Sequence, residues 1–147
     1  MVDYQRLKNE VVVDPIIRGY GSMTDQQIFD SMVNTIDRLI IKSTVVGALG
    51  IMREVGPTMG AAILDKLEAA ATADSRLKWF MKELTTNGID LGHPVTRATI
   101  DELVTGGVLL ASEGAALKQV AESIVSRAEE LLLTKFYVRD ITFVRNL

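Results

Sequence analysis

The side chains of this chain that could do acid–base or metal chemistry are few and widely spaced. His93 is the single histidine, and cysteine is absent. His93 stands directly before Pro94 at the start of a predicted helix, where a histidine usually caps the helix or lies on the surface. No other ligand-type residue is spaced to complete a metal site or a catalytic pair with it. We therefore interpret His93 as a capping residue and predict no metal centre.

Two groups of carboxylates could in principle line a site for general acid–base catalysis. They are Asp90 with Asp101 and Glu102, and the adjacent pair Glu129 and Glu130. Adjacent acids on a helix normally form a solvated face, and the spacing selects no pair that would share a substrate. We predict no catalytic residues and expect that the protein is not an enzyme.

Two glycine-containing stretches have spacings that are also found in phosphate-binding loops. They are GALG at 47–50 and the interval from Gly56 to Gly60. Neither belongs to a Gly-Lys-Ser/Thr motif, and no clear strand precedes either stretch. Glycines at such spacings also allow helices to approach closely. Close packing is the favoured interpretation, and no cofactor is expected.

The composition is that of an ordinary globular protein. The 147 residues are 48% hydrophobic and 24% charged, with a formal net charge of −3, which fits one domain with its own core. No basic run is present, so nucleic-acid binding is not expected. The longest apolar run, VVGALGIM, falls short of the roughly 20 residues of a membrane span. The first residues, MVDYQRLKNE, lack the apolar segment of a secretory signal, so none is expected.

Apolar residues recur mostly three or four positions apart, which predicts an all-α fold in a single domain over 1–147. We expect about six to seven helices and a short extended segment near the C-terminus. Residues 1–22 are predicted to form a helix capped by Asp3, then a short helical turn opened by Asp14 and Pro15. The main helices are predicted at 25–42, 58–72, 74–87, 94–105 and 112–133.

Two of these predictions leave alternatives open. Thr24 and Gln27 form a capping box that starts a helix at Asp25, but Asn34 and Thr35 could end it before position 42. Residues 43–56 mix β-branched residues with glycines, and helix is favoured over a buried strand.

Several apolar side chains are candidates for contact with another protein. Trp79 falls on the face of its helix opposite the apolar stripe, so it either packs under a neighbouring element or lies in an interface. The C-terminal segment is more apolar than a free tail normally is, so it should dock on the chain's own core or on another protein. The candidate interface residues are Trp79, Phe136, Tyr137, Ile141, Phe143 and Val144.

Two segments resemble a family of small uncharacterised proteins encoded by tailed bacteriophages. The first is LKNEVVVDPIIRGYGSMTDQQIFDSMVNTIDR, with Asp-Pro, Arg-Gly-Tyr, Met-Thr-Asp, Asn-Thr and Asp-Arg in that order. The second is SRAEELLLTKFYVRDI, which is similar to the family's ending. The resemblance implies a phage gene product from the virion or tail module and supplies no catalytic residues.

These observations lead to one main functional expectation. The protein is expected to be a multicopy structural or accessory component of a phage virion, assembled in the host cytoplasm. It would act through contacts with other virion proteins, at the tail, baseplate or fibre attachment in preference to the neck or capsid, and symmetric self-assembly would follow from many identical copies. The alternative is a small non-enzymatic intracellular phage regulator that binds a host protein.

Overall fold

The structure is a computed structural model that describes residues 1–34, 38–133 and 135–147. Helix accounts for 63% of the structure and strand for 8%, so the predicted all-α class is confirmed. The described strands form two-stranded pairs. No helix among the described residues has the length and apolar character needed to cross a membrane.

The chain divides into two compact units. Unit 1 comprises Met1–Ile40 and Ile124–Leu147, and unit 2 comprises Ile41–Ser123. Each unit has its own hydrophobic core. The grouping of residues 1–147 into one domain stays a prediction.

Unit 1 begins with the predicted N-terminal helix. The Asp3 carboxylate accepts the N–H of Arg6 and opens α1 (Tyr4–Lys8). The helix continues as a wider π-helical turn over Asn9–Val13. Three consecutive valines at its end have low helix propensity because their branched Cβ crowds the preceding turn.

The segment after Asp14 differs from the predicted helical turn. Asp14 itself takes a left-handed conformation, with φ 51°, and Pro15 lies in a turn that the Ile17 N–H closes by donating to the Asp14 carbonyl at 2.9 Å. The regular helical turn comes later, as a 3₁₀ turn over Tyr20–Ser22. The Asp14 side chain still acts as a cap, because it accepts the backbone N–H groups of Arg18, Gly19 and Tyr20.

The predicted capping box is confirmed at the start of α2 (Asp25–Val33). Thr24 Oγ1 accepts the Gln27 N–H at 3.2 Å, and Gln27 Oε1 accepts the Thr24 N–H at 2.9 Å. This local signal fixes the start of the helix without help from tertiary contacts.

The predicted end of that helix at position 42 is wrong. α2 stops at Val33, where Asn34 donates its N–H to the Asp30 carbonyl as the C-cap, which is the earlier of the two endings considered. Residues Arg38–Ile41 form β1, in which two isoleucines favour extended chain. Residues 35–37, which the predicted helix over 25–42 includes, lie outside the described residues.

The predicted helix over 112–133 is also wrong. The chain there forms α7 (Ala111–Gln119), β4 (Glu122–Val125) and α8 (Arg127–Glu130). β4 pairs with β1. The segment carries β-branched residues, which favour strand, so this pairing prevails although its apolar residues are spaced as in a helix. Ser126 then starts α8 by accepting the Glu129 N–H.

The C-terminal segment ends in the helix α9 (Val138–Arg145). Before it, Leu132 and Lys135 take left-handed conformations and the described residues form no strand, which differs from the predicted extended segment. Asp140 Oδ2 accepts the Tyr137 N–H at 2.8 Å and caps the start of the helix. α9 packs on α1 and α2 within unit 1. The buried hydrophobic residues of this core are Leu7, Val11, Tyr20, Ile28, Met32, Ala128, Leu133, Phe136, Ile141 and Val144.

Unit 2 is built mainly from helices whose boundaries lie close to the predicted ones. Its two-residue strands β2 and β3 pair antiparallel, with Val46 opposite Ile89. Its core contains Ile51, Ile63 and Leu67 among other buried residues. The elements are β2 (Val45–Val46), α3 (Ala48–Val55), α4 (Pro57–Ala71), α5 (Ser75–Thr86), β3 (Ile89–Asp90), α6 (Pro94–Thr105) and α7.

Residues 43–56 contain both of the alternatives considered for them, since β2 is followed by α3. The close-packing interpretation of the glycine spacing is confirmed at Gly60 on α4. A Cβ there would lie 2.6 Å from the Met52 Cα on α3, a distance that real Cβ atoms do not tolerate. Only glycine therefore allows α3 and α4 to approach this closely.

Candidate functional site

The candidate interface residues at the C-terminus separate into core and surface. Phe136, Ile141 and Val144 are buried in unit 1, so they dock on the chain's own core and do not form a surface for a partner. Tyr137 and Phe143 remain 55% and 52% exposed. Within α9 the difference follows from the helix, which turns Ile141 and Val144 to the core and Phe143 to solvent.

Hydrogen bonds and ring contacts hold α9 against the N-terminal segment. Asp140 Oδ1 accepts the Tyr4 hydroxyl at 2.9 Å, and this bond raises the pKa of Tyr4. The Tyr4 and Phe143 rings meet edge to face, with centroids 5.1 Å apart. At the other end, Arg145 Nη1 donates to Asp25 Oδ1 at 2.6 Å. The exposed aromatic side chains of α9 are therefore carried on a fixed helix.

An open groove of about 640 Å³ runs between α2 and the start of α9. The Phe29 ring stands edge to face against the buried Phe136, at 5.4 Å, and forms an aromatic wall. On the opposite side the Arg139 guanidinium lies 5.3 Å from the centre of the Tyr137 ring. We call this surface the α2/α9 groove, and it is lined by Gln26, Phe29, Tyr137, Val138 and Arg139.

The composition of the α2/α9 groove suits contact with a protein. Tyrosine and arginine are enriched at the energetically important positions of protein interfaces. A tyrosine ring already stacked by a guanidinium offers a large contact area and loses little side-chain freedom on binding. The groove can therefore receive apolar side chains and place a cation beside a partner's carboxylate.

A buried charged network lies elsewhere in unit 1. Arg127 donates Nε to Glu10 Oε1 at 2.8 Å, Nη2 to Glu10 Oε2 at 2.7 Å, and Nη1 to Glu130 Oε2 at 2.7 Å. The Tyr20 hydroxyl also donates to Glu10, at 3.1 Å. Arg38 Nε donates to Glu130 at 3.0 Å.

The network changes the proton affinities of its members. Burial, and then the negative charge of Glu10, raises the pKa of the Tyr20 hydroxyl. The hydrogen bond from Arg38, together with that from Arg127, lowers the pKa of Glu130. The Tyr20 hydroxyl thus stays protonated and the Glu130 carboxylate ionised at neutral pH, which suits a structural tie between the two chain segments of unit 1.

Glu130 does not lie on the solvated face predicted for it, because its side chain is 22% exposed and paired with two arginines. Sequence reasoning missed Glu10 and Arg127 as well. They lie 117 positions apart, and no local spacing indicates that a charged residue of an amphipathic segment will be buried against such a distant partner.

The acids of unit 2 considered as a catalytic group take part in different interactions. Asp90 accepts from Ser43 Oγ at 2.7 Å and from backbone N–H groups, and these bonds lower its pKa. Asp101 pairs with Lys118 at 2.7 Å, and Glu102 faces Arg76 at 3.4 Å. The geometry therefore gives each acid a role of its own in holding the fold.

His93 occupies the capping position that the sequence indicates. Its Nδ1 accepts the Val95 N–H at 3.1 Å at the start of α6. Among residues 1–34, 38–133 and 135–147, no group of three or more histidine, aspartate or glutamate side chains could hold a metal ion. Trp79 lies on the surface of α5 and is 60% exposed, so it does not pack under a neighbouring element, and its role in an interface stays a prediction.

Comparison with known proteins yields no relative, since no family model, curated protein or solved structure matches the chain.

Proposed function

We propose that this protein is a non-enzymatic assembly component of a bacteriophage virion that acts through protein–protein contacts. The observation that carries the proposal is the α2/α9 groove, where Tyr137 and Arg139 stand exposed on a fixed helix beside Phe29. The phage setting rests on the resemblance of the two terminal segments. We place the protein in many copies at the tail, baseplate or fibre attachment, in preference to the neck or capsid.

Quantitative mass spectrometry of purified particles tests this proposal. We expect the protein in a fixed stoichiometry to the major tail protein. The double variant Tyr137→Ala/Arg139→Ala should enter particles less well, whereas Gln5→Ala, on the exposed side of α1, should enter them as the wild type does. Light scattering on the purified chain would show whether copies associate without other virion proteins.

Absence of the protein from particles would contradict the proposal. Its recovery in a complex with a host protein, disrupted by the same double variant, would instead support the regulator considered as an alternative.

A further inference from the structure

Unit 2 carries the chain's only tryptophan on its surface. Trp79 lies on the side of α5 opposite Leu77 and Leu84, which are buried in the core of unit 2. The ring is 60% exposed, so the core does not depend on it. A large aromatic side chain in such a position is typical of a protein contact site.

Two lysines flank this ring. Lys82 Nζ lies 4.8 Å and Lys78 Nζ 5.9 Å from the ring centre. Both lysines are exposed on α5, and neither forms an ion pair within the described part of the chain. Both ammonium groups stay available to a carboxylate that approaches the ring from solvent.

The other charged side chains of α5 are Arg76 and Glu83. Arg76 faces Asp74 and Glu102, with nitrogen–oxygen distances of 3.7 and 3.4 Å. The Glu83 carboxylate accepts the side-chain amide of Asn87 at 3.2 Å. Glu83 keeps its negative charge four positions after Trp79, so two lysine cations outnumber one carboxylate beside the ring, in a chain whose net charge is −3.

We propose that the Trp79 surface, defined as Lys78, Trp79 and Lys82, docks a protein segment that presents an apolar side chain flanked by carboxylates. A symmetric contact between two copies through this surface would place lysines against lysines, which opposes it. A nucleic-acid strand could stack on the ring, but the chain has no basic run to follow a phosphate backbone. This inference concerns unit 2 alone and does not depend on the proposed virion function.

A random dodecapeptide library selected on the full-length protein tests the proposal, with counter-selection against Trp79→Ala. We expect the enriched peptides to carry an excess of aspartate and glutamate around an apolar residue. Titration followed by the fluorescence of the single tryptophan should show a shift on binding. By calorimetry, Trp79→Ala should weaken the best peptide about thirtyfold, as expected for a central aromatic anchor.

A second set of substitutions tests whether binding requires the positive charges of the two lysines. Lys78→Glu/Lys82→Glu should weaken the same peptide at least about tenfold and reduce the salt dependence of its binding. Lys42→Glu/Arg53→Glu, at two exposed cations of unit 2 outside α5, changes the net charge by the same amount and should leave binding unchanged. Circular dichroism should be the same for all variants, because the substituted side chains are exposed.

Three results would overturn the proposal. They are failure to enrich any Trp79-dependent peptide, enrichment of neutral or basic peptides, and tighter Trp79-dependent binding of a mixed-sequence single-stranded oligonucleotide than of every acidic peptide.

Discussion

Arg127 and Glu10 form a two-point ion pair in the core of unit 1, with 8% and 1% of their side chains exposed. The pair joins α8 to the π-helical turn that follows α1. Replacement of one partner would leave the other charge buried and uncompensated, and such a charge destabilises a protein far more than loss of an exposed pair.

Arg127→Met should lower the free energy of unfolding by about 3–5 kcal/mol, because Glu10 would lose both of its arginine hydrogen bonds. Urea denaturation measures the change. Arg76→Met removes a guanidinium that is 78% exposed and should cost less than about 1 kcal/mol. Equal effects of the two substitutions would contradict the structural role of the buried pair.

Substitutions at buried and at exposed positions of the C-terminal segment should behave differently. Ile141→Ala creates a cavity at a fully buried position and should cost about 2–5 kcal/mol. Tyr137→Ala, at a side chain that is 55% exposed, should change stability by about 0.5 kcal/mol or less. A thermal unfolding series on both variants makes the comparison, and a large loss in Tyr137→Ala would mean that this ring belongs to the core.

Gly60→Ala should destabilise unit 2 although alanine is the better helix former. The added Cβ would lie 2.6 Å from the Met52 Cα, and relief of that overlap should cost about 1–3 kcal/mol. Gly21→Ala is the control, since a Cβ there meets nothing within 4 Å. If chemical denaturation finds the two variants equally stable, α3 and α4 are not in close contact at Gly60.

Two substitutions of Glu113 separate its ion pair with Lys66 from its hydrogen bond with the Leu110 backbone. Its carboxylate accepts from Lys66 Nζ at 2.7 Å and from the Leu110 N–H at 2.8 Å at the start of α7. Glu113→Gln keeps an oxygen for the Leu110 N–H and loses the ion pair, whereas Glu113→Ala loses both. Glu113→Ala should therefore be less stable than Glu113→Gln by about 1 kcal/mol in urea denaturation, the usual worth of a helix cap.

The pH dependence of stability should include a contribution from Asp90. Hydrogen bonds from Ser43 and from the N–H groups of Thr44 and Gly92 lower its pKa in the folded state. The stabilisation is therefore present above the unfolded-state pKa of about 3.9 and disappears as pH falls through the lower folded-state value.

Asp90→Asn should accordingly unfold at a lower urea concentration than the wild type at pH 7. The difference should shrink as pH falls below about 4. Asp65→Asn, at an exposed position on α4, serves as the matched substitution. A difference between Asp90→Asn and the wild type that stays constant down to acidic pH would contradict this prediction.

Local signals in the sequence predicted several helix starts well. The Thr24 and Gln27 capping box, the Asp3 cap and the His93-Pro94 entry each act through neighbouring backbone groups, so they are visible without the fold. The spacing of apolar residues failed at Glu122–Val125, because pairing with β1 decides the conformation there. The residues of a short segment do not show that it will pair with a strand distant in sequence.

The candidate surfaces could be predicted only in part. The sequence showed that the C-terminal segment is apolar. It did not show that Ile141 is buried and Phe143 exposed, because this depends on how α9 packs against α1 and α2. The exposure of Trp79 was one of two alternatives, and the closeness of Lys82, three positions later, follows from helical spacing. The contribution of Phe29 to the α2/α9 groove depends on tertiary packing.

The discontinuous make-up of unit 1 has a consequence for synthesis on the ribosome. Ile41–Ser123 emerges as one uninterrupted stretch and can begin to fold as soon as it is translated. The early helices α1 and α2 must wait for Ile124–Leu147 to emerge before their apolar faces are covered. During that interval the nascent chain exposes apolar surface. A chaperone that shields Leu7, Ile28 and Met32 would protect the chain from aggregation.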